Sequence, residues 1–130
     1  MRGTVPHRSA IGVVDDDPSV REALKGLLRA AGFSVEVFSS AEEFLTSGDL
    51  EDTACLILDV RLPGISGIDL QERLKASQVA MPVIFITADG DRDFRTRALA
   101  DGALDFLQKP FKEQALLSAI EKALGQLPSP

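Results

Sequence analysis

In IGVVDDDPSV, residues 11–20, an unbroken apolar run meets three consecutive carboxylates, Asp15, Asp16 and Asp17, and then Pro18. Repulsion and desolvation both oppose packing like charges together, so such a cluster either lies open to water or exists to hold a cation. Three further groups stand at equivalent points, each just past an apolar run: Asp59 after ACLIL, Thr87 after PVIFI, and Lys109 beyond ALDFL. Carboxylates gathered on one rim call for a hard cation. Mg2+ is the economical one, because it takes oxygen ligands in octahedral geometry and keeps several waters. With part of the charge offset, one carboxylate can act as a nucleophile toward phosphorus while the metal bridges the incoming phosphoryl oxygens. The Lys109 ammonium and the Thr87 hydroxyl complete the contacts to those oxygens.

Apolar runs alternate with segments of helical period, and no repeat, low-complexity tract or internal linker interrupts them, the pattern of a parallel sheet with crossover helices. After IGVV, the spacing of Val20, Ala23, Leu24, Leu27 and Leu28 predicts one buried helix face, closed by Gly32. SVEVF alternates about Glu36, and Ser40 with Glu43 offers a capping box for a short second helix. ACLIL, the loop RLPGISG and IDLQERLKA form a third unit; PVIFI and DRDFRTRALADG a fourth, ending at Gly102. ALDFL and KEQALLSAIEKALGQ form the fifth, with Ala115, Leu116, Ala119, Ile120 and Ala123 on one face. Strands covered on both faces read as continuous apolar runs, so IGVV, ACLIL and VIFI belong at the centre; SVEVF with Glu36 and ALDFL with Asp105 belong at the edges. Five right-handed parallel units then take the order 2-1-3-4-5, an α/β, doubly wound five-stranded parallel sheet in a three-layer sandwich. The order reverses between the first and third strands, and the ligand crevice lies beyond their carboxyl ends, where Asp15, Asp16, Asp59, Thr87 and Lys109 meet.

A chain of 130 residues, 45% hydrophobic, fits one domain, and it has no apolar stretch of about 18 residues that would suggest a membrane span. MRGTVPHRSA is short and polar and lacks the apolar centre of a signal peptide, so the chain is expected in the cytoplasm; His7 within it is assigned no role. Cys55 is the only cysteine and sits inside ACLIL, which reads as a reduced, buried thiol acting as a small hydrophobe. A net charge of -6 opposes contact with a polyanion, so direct nucleic-acid binding by this chain is not expected.

Each site residue also has a plainer role. Asp17 before Pro18 is a favoured helix start, and capping is its expected function. Asp15 or Asp16 alone is compatible with a solvated strand end, Thr87 with a turn, and Lys109 beside Pro110 with a strand terminator. Asp59 is harder to set aside, because its apolar approach leaves a carboxylate at the sheet's rim with no obvious basic partner. Convergence at one switch point favours the functional reading.

VVDDD, ACLILDVRLPGISG, PVIFITA and GALDFLQKPF, in that order, resemble the receiver domain of bacterial two-component response regulators, with a flavodoxin/CheY-like fold, over roughly residues 10–125. Phe106 with FLQKPF resembles the FixJ and NtrC-like receivers. The resemblance implies that Asp59 accepts a phosphoryl group from a histidine kinase or histidine phosphotransfer protein. It implies that Mg2+ is held by Asp16, Asp59 and the backbone carbonyl of Arg61, with Asp15 acting through water. Thr87 matches the switch hydroxyl, Lys109 the invariant lysine and Phe106 the aromatic that changes position, and the Lys109–Pro110 bond is expected to be cis. Residues 1–9 then form a leader and 126–130 a tail; relatives of this kind usually continue into a DNA-binding output domain. Arg61 and Asp89, two positions past Asp59 and Thr87, are expected to set the phosphate's lifetime. Arg92, Arg95 and Leu99, at i, i+3 and i+7 of the fourth helix, are expected with Phe106 to form a partner surface for phosphorylation-dependent homodimerisation.

Two other classes compete. VVDDDPS also fits the haloacid-dehalogenase phosphatase pattern, with Asp15 as nucleophile and Asp17 as acid, but that fold needs an acidic pair on a strand after the lysine, where only a helix follows here. A phosphorylation-independent interaction module is the other, and the full set of site residues argues against it.

Overall fold

The computed structural model describes residues 10–47, 50, 52–88 and 92–125. Along it run β1 (Ala10–Val14), α1 (Pro18–Ala30), β2 (Ser34–Phe38), α2 (Ala41–Ser47), β3 (Thr53–Asp59), α3 (Gly67–Ala76), β4 (Val83–Thr87), α4 (Arg92–Ala100), β5 (Asp105–Gln108) and α5 (Glu113–Gly125). The continuous apolar runs become the inner strands: every residue of β3 and β4 is buried, whereas Glu36 of β2 and Gln108 of β5 are exposed. All pairings are parallel and the order is β2-β1-β3-β4-β5, as the polar residues of the outer strands predict.

Alternation along the strands divides the interior in two. Leu56, Leu58 and Phe85 pack with Phe44 of α2, Leu70 and Leu74 of α3 and Ala98 of α4. Cys55, Ile57, Ile84 and Ile86 point to the opposite face, against Leu24 and Leu28 of α1 and Leu116 and Ile120 of α5. Helices cover both faces. None of them is long and apolar enough to cross a membrane among the described residues.

Helix ends follow local chemistry. Asp17 caps α1, its carboxylate accepting from the Ser19 N–H at 2.8 Å with Pro18 in the first turn, so capping is its role. Gly32 follows that helix at φ +97, where a side chain would be strained. At α2 the Ser40 hydroxyl accepts from the Glu43 N–H at 3.0 Å, but Glu43 returns to the N–H of Ser39 rather than that of Ser40. One expectation for α1 is too broad. Leu24 and Leu28 are buried, Val20 and Leu27 only half so, and Ala23 is exposed. These outer residues border an apolar groove of about 360 Å³ completed by Lys109, Pro110 and Phe111.

Candidate functional site

Register builds the site. Val14 pairs with Leu58 and Asp59 with Ile86, so the residues just past β1, at the end of β3 and at the end of β4 emerge side by side where the order reverses. Carboxylate oxygens from Asp15, Asp16 and Asp59 lie within 4.8 Å of one another.

The three carboxylates differ in environment. Asp15 is fully buried; one oxygen accepts from the Asp17 N–H at 2.9 Å and the other from Lys109 Nζ at 3.0 Å. Asp16 is exposed. Asp59 is 7% exposed, with Oδ1 accepting from the Arg61 N–H at 3.0 Å and Oδ2 standing 3.7 Å from the same Lys109 Nζ. Lys109 therefore serves Asp15 and Asp59 together, from a position 94 residues beyond Asp15. Its own N–H donates to the Thr87 carbonyl at 2.7 Å, and the Lys109–Pro110 peptide is cis, as expected.

Electrostatics single out Asp59. Its pKa is pushed up from 3.8 to about 6, chiefly by burial, with Asp15 and Asp16 adding to the rise and the Arg61 N–H and Lys109 opposing it. The donor set is all oxygen, with capacity left on every carboxylate and Asp16 open to solvent, which suits a hard divalent cation such as Mg2+. Cys55 is buried and its thiol is pushed up to about 12, so it stays protonated and packs as a hydrophobe.

Thr87 is buried at the end of β4, opposite Gln108. Phe106 is buried as well, 6.3 Å from Phe85 between ring centroids. It is thus no part of the exposed surface in this conformation, because β5 turns it toward the inner face instead of outward. Arg95 and Leu99 lie exposed on α4; the side chain of Arg92, and all of Asp89 and His7, fall outside the described residues. The Arg61 guanidinium lies over the Phe94 ring at 4.9 Å, which ties the loop after Asp59 to α4. One contact had no signature in the sequence. Arg21 Nη1 donates to the Asp15 carbonyl at 2.7 Å, fixing the corner between β1 and α1 across a spacing of six residues that no helix or strand period marks.

This arrangement has close counterparts. The family model for the response regulator receiver domain matches residues 11–121. The response regulator protein TodT of Pseudomonas putida is 48% identical over 128 residues, which are 98% of this chain and 56% of TodT. Among solved structures, the response regulator StyR is 54% identical, with a TM-score of 0.84 over 89% of this chain and 59% of that one. FixJ-N is 35% identical, with a TM-score of 0.85 over 93% of this chain and 97% of that one. A haloacid-dehalogenase reading, with Asp15 as nucleophile, has no support in this kinship. By sequence and by fold, the chain belongs to the response regulator receiver domains of two-component signal transduction, alongside FixJ.

Proposed function

We propose that Asp59 is the phosphoacceptor, and that residues 10–125 form the receiver unit between a leader, 1–9, and a tail, 126–130. The observation that carries this reading is the placement of Lys109 Nζ 3.7 Å from Asp59 and 3.0 Å from Asp15, beside three mutually close carboxylates. An Asp59 oxygen attacks phosphorus of a phosphohistidine on a sensor kinase or phosphotransfer protein; the P–O bond forms, the P–N bond breaks and the histidine leaves. Asp16, Asp59 and the Arg61 carbonyl would hold Mg2+, with Asp15 acting through water. The metal supplies charge neutralisation for the phosphoryl oxygens. Lys109 remains beside the new acyl phosphate, and the Thr87 hydroxyl turns to donate to it. Water attack on phosphorus later restores the carboxylate and releases phosphate. Arg61 flanks that route, with Asp89 assigned the same role. The domain is thus a phosphoacceptor that takes part in its own transfer and dephosphorylation, acting in the cytoplasm.

Incubation with acetyl phosphate and Mg2+ should place a hydroxylamine-labile phosphate on Asp59, and Asp59→Asn should remove it. Phosphate release through Asp15 would indicate a phosphatase, and no modification would indicate a passive module.

A further inference from the structure

The loop from Val60 to Ser66 carries Arg61, and therefore the carbonyl assigned to the metal. Its beginning is fixed by the Val60 N–H on the Ile86 carbonyl at 3.1 Å, and its end by the Gly67 N–H on the Val60 carbonyl at 3.1 Å. Leu62 is buried and anchors it from inside. The outer half turns at Gly64, which has φ +75, and there the Ile65 N–H donates to Oε2 of Glu42 at 3.2 Å, 23 residues earlier in the chain. Any Cβ at Gly64 would overlap that same carboxylate. Glu42 itself projects from a firmly seated helix turn, since its neighbours Ala41 and Phe44 are both fully buried and the Phe44 ring meets Phe38 edge-on at 5.2 Å.

A side chain at position 64 would push the Glu42 carboxylate off the Ile65 N–H, so this hydrogen bond and the bare glycine go together. We propose that Glu42 is a positioning residue: its carboxylate straps the outer half of the loop to α2, and so holds the Arg61 carbonyl where the metal needs it. This rests on the reading of the site as a Mg2+-dependent phosphoacceptor. Partners of this kind, one step removed from the metal, orient its ligands without touching it.

Three single variants of the full chain and one double variant test the strap, each followed by exchange of the Ile65 amide and by NMR titration with Mg2+. Glu42→Ala should speed Ile65 exchange and weaken Mg2+ binding roughly tenfold, the lower end of the usual loss when an outer partner is removed. Glu42→Gln keeps an oxygen acceptor and should stay close to wild type. Gly64→Ala, which displaces the carboxylate and also strains the turn at φ +75, should be at least as impaired as Glu42→Ala, and the double variant should be no worse than the poorer single one. Unchanged Ile65 exchange or unchanged Mg2+ affinity in Glu42→Ala would overturn the strap, as would a Glu42→Gln variant as impaired as Glu42→Ala. A wild-type chain that neither bound Mg2+ nor took a phosphoryl group on Asp59 would instead sink the proposed function, with Ile65 exchange still reporting on the Glu42 contact itself.

Discussion

Burial raises the Asp59 pKa from 3.8 to about 6, so between those values the folded chain keeps a proton that the unfolded chain has released. Stability contributed at this position is therefore greatest below about pH 4 and falls as pH rises through 6; 1.36 kcal/mol per pKa unit puts the loss at up to about 3 kcal/mol. A group held ionised at neutral pH against this gradient is poised for reaction rather than for stability. In Mg2+-free buffer at pH 7, Asp59→Asn should be more stable than wild type by roughly 1–3 kcal/mol in urea titrations, with the advantage vanishing near pH 4. Equal stability at both pH values would mean that Lys109 and the Arg61 N–H already offset the burial. Lys109 is one of the groups that lower the Asp59 pKa, so Lys109→Met should move its NMR titration above 6 and leave the buried Asp15 without its 3.0 Å partner. A titration that stayed put would show that the 3.7 Å contact is electrostatically idle.

At the scale of elements, the groove between α1 and the turn after β5 joins the site directly, because Lys109 borders both. If Asp59 is phosphorylated from a phosphohistidine, as proposed, the donor protein would rest on the surface next to it, and an apolar groove lined by Val20, Leu27, Pro110 and Phe111 is suited to an apolar helix face. Ala23→Glu places a charge on its exposed lip. It should slow phosphoryl transfer from a cognate phosphohistidine protein by tenfold or more, on the order of 1.4 kcal/mol, while leaving labelling by acetyl phosphate unchanged. Equal slowing with both donors would point to damage at the site instead. The same helix shows how far sequence reaches. Strand order was legible because Glu36 and Asp105 interrupt otherwise apolar runs, and the Asp17–Pro18 cap because both residues act locally. The apolar stripe of α1 was read as wholly buried because periodicity reports which residues share a face and not how much of that face a neighbour covers; the sheet takes Leu24 and Leu28 and leaves the rest to the groove. Lys109 reaching Asp15, Arg21 holding the Asp15 carbonyl and Glu42 meeting Ile65 depend on distances across the fold, for which residue spacing carries no period.

For the whole molecule, the question is how a charge added at one end of the sheet reaches a partner. The chain carries a net charge of -6, so two copies repel unless apolar contact and local positive charge bring them together. On α4, Leu99 is 39% exposed, a large apolar side chain open to solvent, with Arg95 one turn away on the same face. Behind that helix, Phe106 packs against Phe85, and Thr87 sits buried at the end of β4, the strand between β3, which ends at Asp59, and β5, which carries Phe106. If Asp59 takes a phosphoryl group as proposed, Thr87 would turn toward it and vacate space for the Phe106 ring, changing the surface beside α4 with no change in the sheet. On the proposed reading, Phe106 would couple the phosphorylated site to that surface, with Arg95 and Leu99 as the contact. A beryllofluoride mimic of the phosphoryl group should therefore promote homodimerisation, read by sedimentation as at least a tenfold fall in the dimer dissociation constant. Leu99→Asp should abolish that response while Asp59 is still labelled normally by acetyl phosphate. Phe106→Ala should weaken the coupling without removing the contact, giving partial association that the mimic no longer controls. Mimic-dependent dimers of undiminished strength in Leu99→Asp would place the interface elsewhere on the molecule, with phosphorylation at Asp59 unaffected by that result.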